Sequence, residues 1–294
     1  MPVCVGDVVG GRYRLVRPIA KGGQAEVWEA QQAPFNQRVA LKILIPKCGA
    51  LGRERLQREA QVLAGLNHPN IVRIIDCGDV GEGCYLAMEY IEGPRFKSLL
   101  RARQHSPRAL LFLVAQVCAG LEAAHRRGVI HRDIKLSNIL IHRAAGVREQ
   151  ARLVDFGIAR LMEEDPGLTS EGIVLGSPRF MAPELIRGQP LDARVDVYAV
   201  GVLLFCCLVG RYPFSGRSPH EIMRAHLSRP LPTVHVPYGL PNRASLAALV
   251  QRAMARDRNE RFASIAELRR TLQALVPDLE GRPEAGVMRR SARL

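Results

Sequence analysis

The stretch "HRDIKLSNIL" packs Asp133, Lys135 and Asn138 into one short segment, just after a helical pattern and just before an apolar run. Further on, "LVDFGIAR" ends a strand pattern with Asp155, and Gly157 follows closely. Two turns therefore deliver two carboxylates, an amide and an ammonium group from nearby stretches of chain. Mg²⁺ prefers hard oxygen ligands of this kind. Phosphoryl transfer needs such ions bridging the phosphates, with another carboxylate to orient the attacking hydroxyl. Asp155, Asn138 and Asp133 supply that set.

A second pair of residues is anomalous for its setting. "VALKIL" places Lys42 inside an apolar strand pattern, where a lone lysine would point outward on the pleat. In "RERLQREAQVLAGLNHPN", Glu59 lies on the apolar stripe defined by Leu56, Leu63 and Leu66. A buried carboxylate without a partner is costly. Lys42 is the nearest cation by topology, so a Lys42–Glu59 pair accounts for both anomalies.

The elements that must position these groups fall into two sets. "RYRLVRPIA", "AEVWEAQQ", "QRVALKIL", "IVRIIDCG" and "CYLAMEYI" are short β-branched or alternating runs separated by Gly, Pro and Asn. They predict a five-stranded antiparallel sheet carrying one helix over residues 11–91, preceded by an extension over 1–10. Residues 92–276 are mainly helical in pattern, and 277–294 read as a basic tail or linker. The fold class is α+β and bilobal, with a cleft between the lobes.

Composition narrows the function further. Lysine and arginine outnumber aspartate and glutamate by 42 to 28, a formal charge of +14 that favours acidic substrates, nucleotides or anionic surfaces. Aromatics are only 5% and do not alternate with basic residues, which argues against nucleic-acid binding. The N-terminal "MPVCVGDVVGG" has no signal-peptide pattern, and "VYAVGVLLFCCLVG" is too short to span a bilayer, so no membrane segment is expected. Seven cysteines without a CxxC pair read as free thiols in a reducing cytoplasm.

Taken in order, "AKGGQAEV", "VALK", Glu59, "HPNIV", "HRDIKLSN", "DFG", "APE" and "DVYAVG" resemble a protein kinase of the eukaryotic-like Ser/Thr type found in bacteria. The resemblance covers roughly Arg12 to Leu275. It implies that Lys42 holds the α- and β-phosphates of ATP and pairs with Glu59. Asp133 would orient the substrate hydroxyl, Lys135 steady the γ-phosphate, and Asp155 and Asn138 bind Mg²⁺. Met88 falls at the gatekeeper position, with the backbone of Glu89 to Ile91 meeting the adenine edge and Val27, Ala40 and Leu140 as its apolar plates. Leu63, Ile74, His131 and Phe156 would stack into a spine anchored by Asp196, while Glu184 and Arg261 match a buried ion pair. Lys135 and "GSPRF", with Ser177 set to bond the catalytic loop, imply protein substrates with Ser/Thr acceptors.

The family pattern asks for glycine where this chain has Ala20, Gly22 and Ala25; Gly23 doubles the middle one. Glycine lets backbone N–H groups approach phosphates and tolerates positive φ. Alanine at negative φ changes little, whereas at positive φ it costs roughly 1–2 kcal/mol. Regulation is expected at the loop "DPGLTSEGIVLGS". There Thr169, and secondarily Ser170, would be autophosphorylated through self-association and meet Arg132, while Glu171 supplies part of that charge permanently. Two other readings stay open: a nucleotide-binding pseudokinase scaffold, motivated by the two alanines, and a small-molecule phosphotransferase.

Overall fold

The computed structural model describes residues 3–22, 25–44, 60, 64–81, 83–143, 148–156, 177–277 and 279. The N-terminal part is an antiparallel sheet of β1 (Val8–Val9), β2 (Tyr13–Lys21), β3 (Ala25–Gln32), β4 (Gln37–Leu44), β5 (Ile74–Val80) and β6 (Gly83–Glu89). The spatial order is β1-β2-β3-β4-β6-β5. The sheet thus has six strands, where the sequence predicts five. The added strand lies in the expected extension: Gly10 and Gly11 both adopt positive φ and turn the chain back, which sets Val9 opposite Tyr13. Two residues are too few to show a period. The helix expected between β4 and β5, with Glu59 and Leu63, lies outside the described residues, although Ala60 and Ala64 are helical.

Register gives the sheet two different faces, because successive side chains alternate. Val39, Leu41 and Ile43 of β4 join Tyr13, Leu15, Trp28, Ala30, Tyr85 and Ala87 in a small core of their own. The opposite face carries Ala40, Lys42 and Leu44, paired across the ladder with Met88, Leu86 and Cys84. Leu44, Cys84, Leu86 and Met88 belong to the large core, which runs on into the helical part. Lys42 therefore sits on the face turned toward the second lobe.

That lobe contains α1 (Phe96–Ala102), α2 (Pro107–His125), α3 (Pro183–Ile186), α4 (Arg194–Val209), α5 (Pro219–Ser228), α6 (Arg243–Ala253) and α7 (Ile265–Leu275), with a hairpin of β7 (Ile139–His142) and β8 (Gln150–Leu153). Ser106, Ser218 and Ser264 cap α2, α5 and α7 by accepting the N–H of Ala109, Glu221 and Glu267. α4 is apolar on every side, and from Val195 to Leu208 every residue is buried. This is the run from Val197 that the sequence marks as a core helix. α2 is long and apolar enough by composition to cross a membrane, yet it packs against α4, α7 and β8 with most of its surface inside the protein.

Two polar devices tie the parts together. The "HPNIV" segment docks on β8: the Asn70 carbonyl accepts from Leu153 N, the Leu153 carbonyl accepts from Val72 N, and Asn70 Nδ2 donates to the Ala151 carbonyl. Gly120 of α2 lies directly beneath, where a Cβ would stand 3.0 Å from the Asn70 carbonyl oxygen. Deeper in the lobe, the buried Arg261 makes a bidentate pair with Glu184 at 2.7 Å for each bond. It also donates to the carbonyls of Ala255, Arg194 and Arg256, so all five of its N–H groups are used.

Removing one partner of such a pair leaves an uncompensated buried charge. Arg261→Met should destabilise the protein by about 3–5 kcal/mol in urea unfolding. Adding Glu184→Leu should restore only part of the loss, because three carbonyls still lose the donor that Arg261 supplied.

Candidate active site

The second half of "HRDIKLSNIL" forms a 3-10 turn, Leu136–Asn138, leading into β7, and Asp155 follows the end of β8. Because β7 and β8 pair, the two motifs emerge side by side, and Val154 N donates to the Asn138 carbonyl at 3.0 Å. Asp133 Oδ2 accepts from Lys135 Nζ at 2.6 Å and from Asn138 Nδ2 at 3.0 Å. Asn138 Nδ2 also donates to the Asp133 carbonyl. Asp133, Lys135 and Asn138 therefore form one network. Among the described residues, Asp133 Oδ1, Asn138 Oδ1 and Asp155 Oδ2 have no protein partner.

Lys42 reaches across the cleft to Asp155, with Nζ 2.9 Å from Oδ1. Glu59, its expected partner, lies outside the described residues. Burial pushes the Asp155 carboxyl up, but the charge and hydrogen bond of Lys42, helped by Lys135 and His131, outweigh it and hold the group below its ordinary range. Asp155 also sits at φ 56°, a left-handed conformation uncommon for a non-glycine residue.

Arg132 has φ 60° as well, and the reason lies beneath it. Asp196, in the first turn of α4, accepts from His131 N at 2.9 Å, Arg132 N at 3.0 Å and His125 Nε2 at 2.7 Å. Burial raises the Asp196 carboxyl, yet the His125 hydrogen bond, the nearby histidines and the His131 N–H bring it below its ordinary range, so it stays ionised. His131 is itself buried, which lowers its pKa, and its ring packs on Phe156 at 4.5 Å between centroids. Ile74 and Phe156 line one cavity with Lys42, Val72, Leu86, Met88 and Asp155. Leu63 lies outside the described residues.

The mouth of the cleft is apolar. Val27 stands opposite Lys42 and Ala40 opposite Met88, so these share the cleft-side face; Leu140 is partly exposed between the buried Ile139 and Ile141. The Glu89 carboxylate accepts from Arg73 N at 2.8 Å and pairs with Arg152, which turns it to a structural task. Among the described residues, neither the N–H nor the carbonyl of Ile91 is hydrogen-bonded. Gly22 N donates to the Ala25 carbonyl at 2.9 Å, closing the β2–β3 hairpin. Ala20 and Ala25 are not among the positive-φ residues, so their methyl groups impose no left-handed strain. Gly23 lies outside the described residues.

Several features depart from the sequence reading or escape it. Ser177 lines a cavity with Arg132, Asp133 and Ile134, but no hydrogen bond joins it to Asp133 or Lys135. Thr169, Ser170 and Glu171 lie outside the described residues. His125 was not legible as a partner of Asp196, because a histidine in the last turn of a helix is commonplace. Arg95 was missed too: its guanidinium donates to the Ser137 carbonyl at 2.8 Å from far away in sequence.

The arrangement has close counterparts. A family model described as "Protein kinase domain" matches residues 13–272. "Serine/threonine-protein kinase pkn2" of Myxococcus xanthus is 39% identical over 272 residues, covering 91% of this chain and 33% of that protein. "Serine/threonine-protein kinase PknJ" of Mycobacterium tuberculosis is 39% identical over 268 residues, covering 89% of this chain and 45% of that protein. The chain thus spans a third to somewhat under half of these curated relatives. The solved kinase domain of Mycobacterium tuberculosis PknI has a TM-score of 0.70 and 26% identity, with 94% of this chain and 100% of that one covered. With a family model spanning most of the sequence, and a solved kinase domain matching nearly all of it, the chain belongs to the protein kinase domain family.

Proposed function

We propose that this domain transfers the γ-phosphoryl group of ATP to serine and threonine hydroxyls of proteins. One observation carries the reading: Asp133, Lys135 and Asn138 form one hydrogen-bonded network, and Asp155, just past the strand that pairs with β7, bonds Lys42 from the sheet. The donor set suits Mg²⁺, which takes one or two protein carboxylates and fills its remaining positions with phosphate and water oxygens. Asp155 and Asn138 would hold the ion, which would neutralise phosphate charge during transfer.

The remaining roles fall to the chain's own groups. Lys42 binds the α- and β-phosphates, Lys135 steadies the γ-phosphate, and Asp133 accepts a hydrogen bond from the acceptor hydroxyl through its unoccupied oxygen. The hairpin of Ala20, Gly22 and Gly23 covers the phosphates. Val27, Ala40, Met88 and Leu140 enclose the adenine, and the backbone from Glu89 to Ile91 bonds its edge. The alanines that motivate an inactive scaffold sit at negative φ, so they give that reading no support. We take 11–91 and 92–276 as the two lobes, with β1 added to the first, and the cytoplasm as the compartment.

Asp133→Asn and Lys42→Met should each lower phosphoryl transfer on the order of 10²-fold or more, with circular dichroism and unfolding little changed. Transfer of labelled phosphate from ATP with Mg²⁺ measures this, and near-wild-type rates for either variant would contradict the assignment.

Control belongs to the same reading. We infer that Thr169, with Ser170 secondary, is autophosphorylated, and that Glu171 supports basal activity through Arg132. Mass spectrometry should find phosphate on Thr169, and Glu171→Ala should lower the rate of the unphosphorylated enzyme. An unmodified loop in a fully active protein would count against the first part, and an unchanged rate against the second.

A further inference from the structure

Among the described residues of the sheet, Glu29 of β3 is the only buried charged side chain. It stands opposite Arg17 of β2 and Ala40 of β4, two residues from Val27, and so shares the cleft-side face with both apolar plates. A carboxylate buried there needs compensating charge. Arg17 stands 2.6 Å from its Oε2, and Arg38 Nε donates to its Oε1 at 3.0 Å.

The same two arginines reach on to the segment that follows β6. Arg17 donates to the Tyr90 hydroxyl at 3.1 Å, and the Arg38 guanidinium lies 4.2 Å from the centre of the Tyr90 ring. Arg38 also stands 3.8 Å from the Glu92 carboxylate, and His142 Nδ1 of β7 lies 3.2 Å from the Glu92 carbonyl. Arg38 thus touches the residues on both sides of Ile91. The Ile91 side chain packs against the large core, while its N–H and carbonyl enter no backbone hydrogen bond among the described residues.

We propose that Tyr90, held by Arg17 and Arg38 on the buried Glu29, is a positioning residue that fixes the Ile91 backbone against the nucleotide base and so sets the preference for adenine over guanine. This rests on the protein kinase reading above and assigns the side chains that tune the nucleotide choice of that site. Adenine carries an amino donor where guanine carries a carbonyl acceptor. Backbone groups held in place reject the wrong pattern by leaving polar groups unpaired, whereas loosened ones lose that discrimination.

The test is calorimetric binding of ATP and of GTP, each with Mg²⁺, to the folded domain. The wild type should favour ATP by about tenfold or more. Tyr90→Ala should weaken ATP binding about tenfold and change GTP binding by less than about twofold, because both nucleotides share the phosphate contacts. Tyr90→Phe, which keeps the ring under Arg38, should recover most of the loss, and Arg38→Gln, at an exposed position, should weaken ATP about threefold. At saturating ATP, kcat should stay within about twofold of wild type in all three, since Lys42, Asp133 and Asp155 are untouched. Equal wild-type affinity for the two nucleotides, a parallel loss of both, a kcat that falls as far as the affinity, or ATP binding unmoved in Tyr90→Ala and Arg38→Gln would overturn the inference and leave the kinase reading standing. A wild-type domain that binds neither nucleotide would overturn both.

Discussion

The buried carboxylate of Asp196 is the constraint on which the site depends. It enters from the first turn of α4, a helix with no solvent-facing side, and so it is fixed by the largest part of the core. There it accepts two successive backbone N–H groups, from His131 and Arg132, and a third bond from His125. Two adjacent N–H groups aimed at one carboxylate require a tight backbone bend. Arg132 makes it at φ 60°, a conformation that a non-glycine residue holds only when its surroundings over-determine it. Asp133 leaves that bend with its own N–H bonded back to the His131 carbonyl and its side chain directed at Lys135 and Asn138. The helical core thus sets the direction of the Asp133 carboxylate.

The sheet contributes through register alone. With Val39, Leu41 and Ile43 committed to the small core, Ala40 and Lys42 must face the second lobe, and a slip of one residue would exchange the two sets. The Lys42–Asp155 bond then joins the two lobes at the cleft. Asp155, like Arg132, adopts positive φ. Positive φ therefore appears both at the bend held by Asp196 and at the residue that pairs with Lys42.

How much of this was legible in sequence follows from the kind of interaction involved. Asp133, Lys135, Asn138 and Asp155 could be read because their chemistry demands particular residue types at short spacings within two turns. The strands β2 to β6 could be read because each is long enough to show alternation or β-branched enrichment. β1 could not, since it consists of two residues returned by a pair of glycines. The His125–Asp196 and Arg95–Ser137 contacts join distant residues whose types are ordinary where they stand. The Ser177 hydroxyl illustrates the reverse: its motif suggests a bond to the catalytic loop, whereas among the described residues it shares a cavity with Asp133 without bonding it. The β2–β3 hairpin shows why residue identity can mislead, because φ rather than the absence of a methyl group decides the cost.

α4, through Asp196, holds the backbone bend that precedes Asp133. The most direct measurement is the single-turnover rate of phosphoryl transfer by folded Asp196→Asn, compared with its ATP affinity. The substitution preserves shape but removes the charge and turns one acceptor into a donor facing backbone N–H groups. The expected result is a loss of rate on the order of 10²-fold with ATP affinity little changed, since misplacing a reacting group by about 1 Å has that effect. A folded Asp196→Asn domain that transfers phosphate at the wild-type rate would contradict the account.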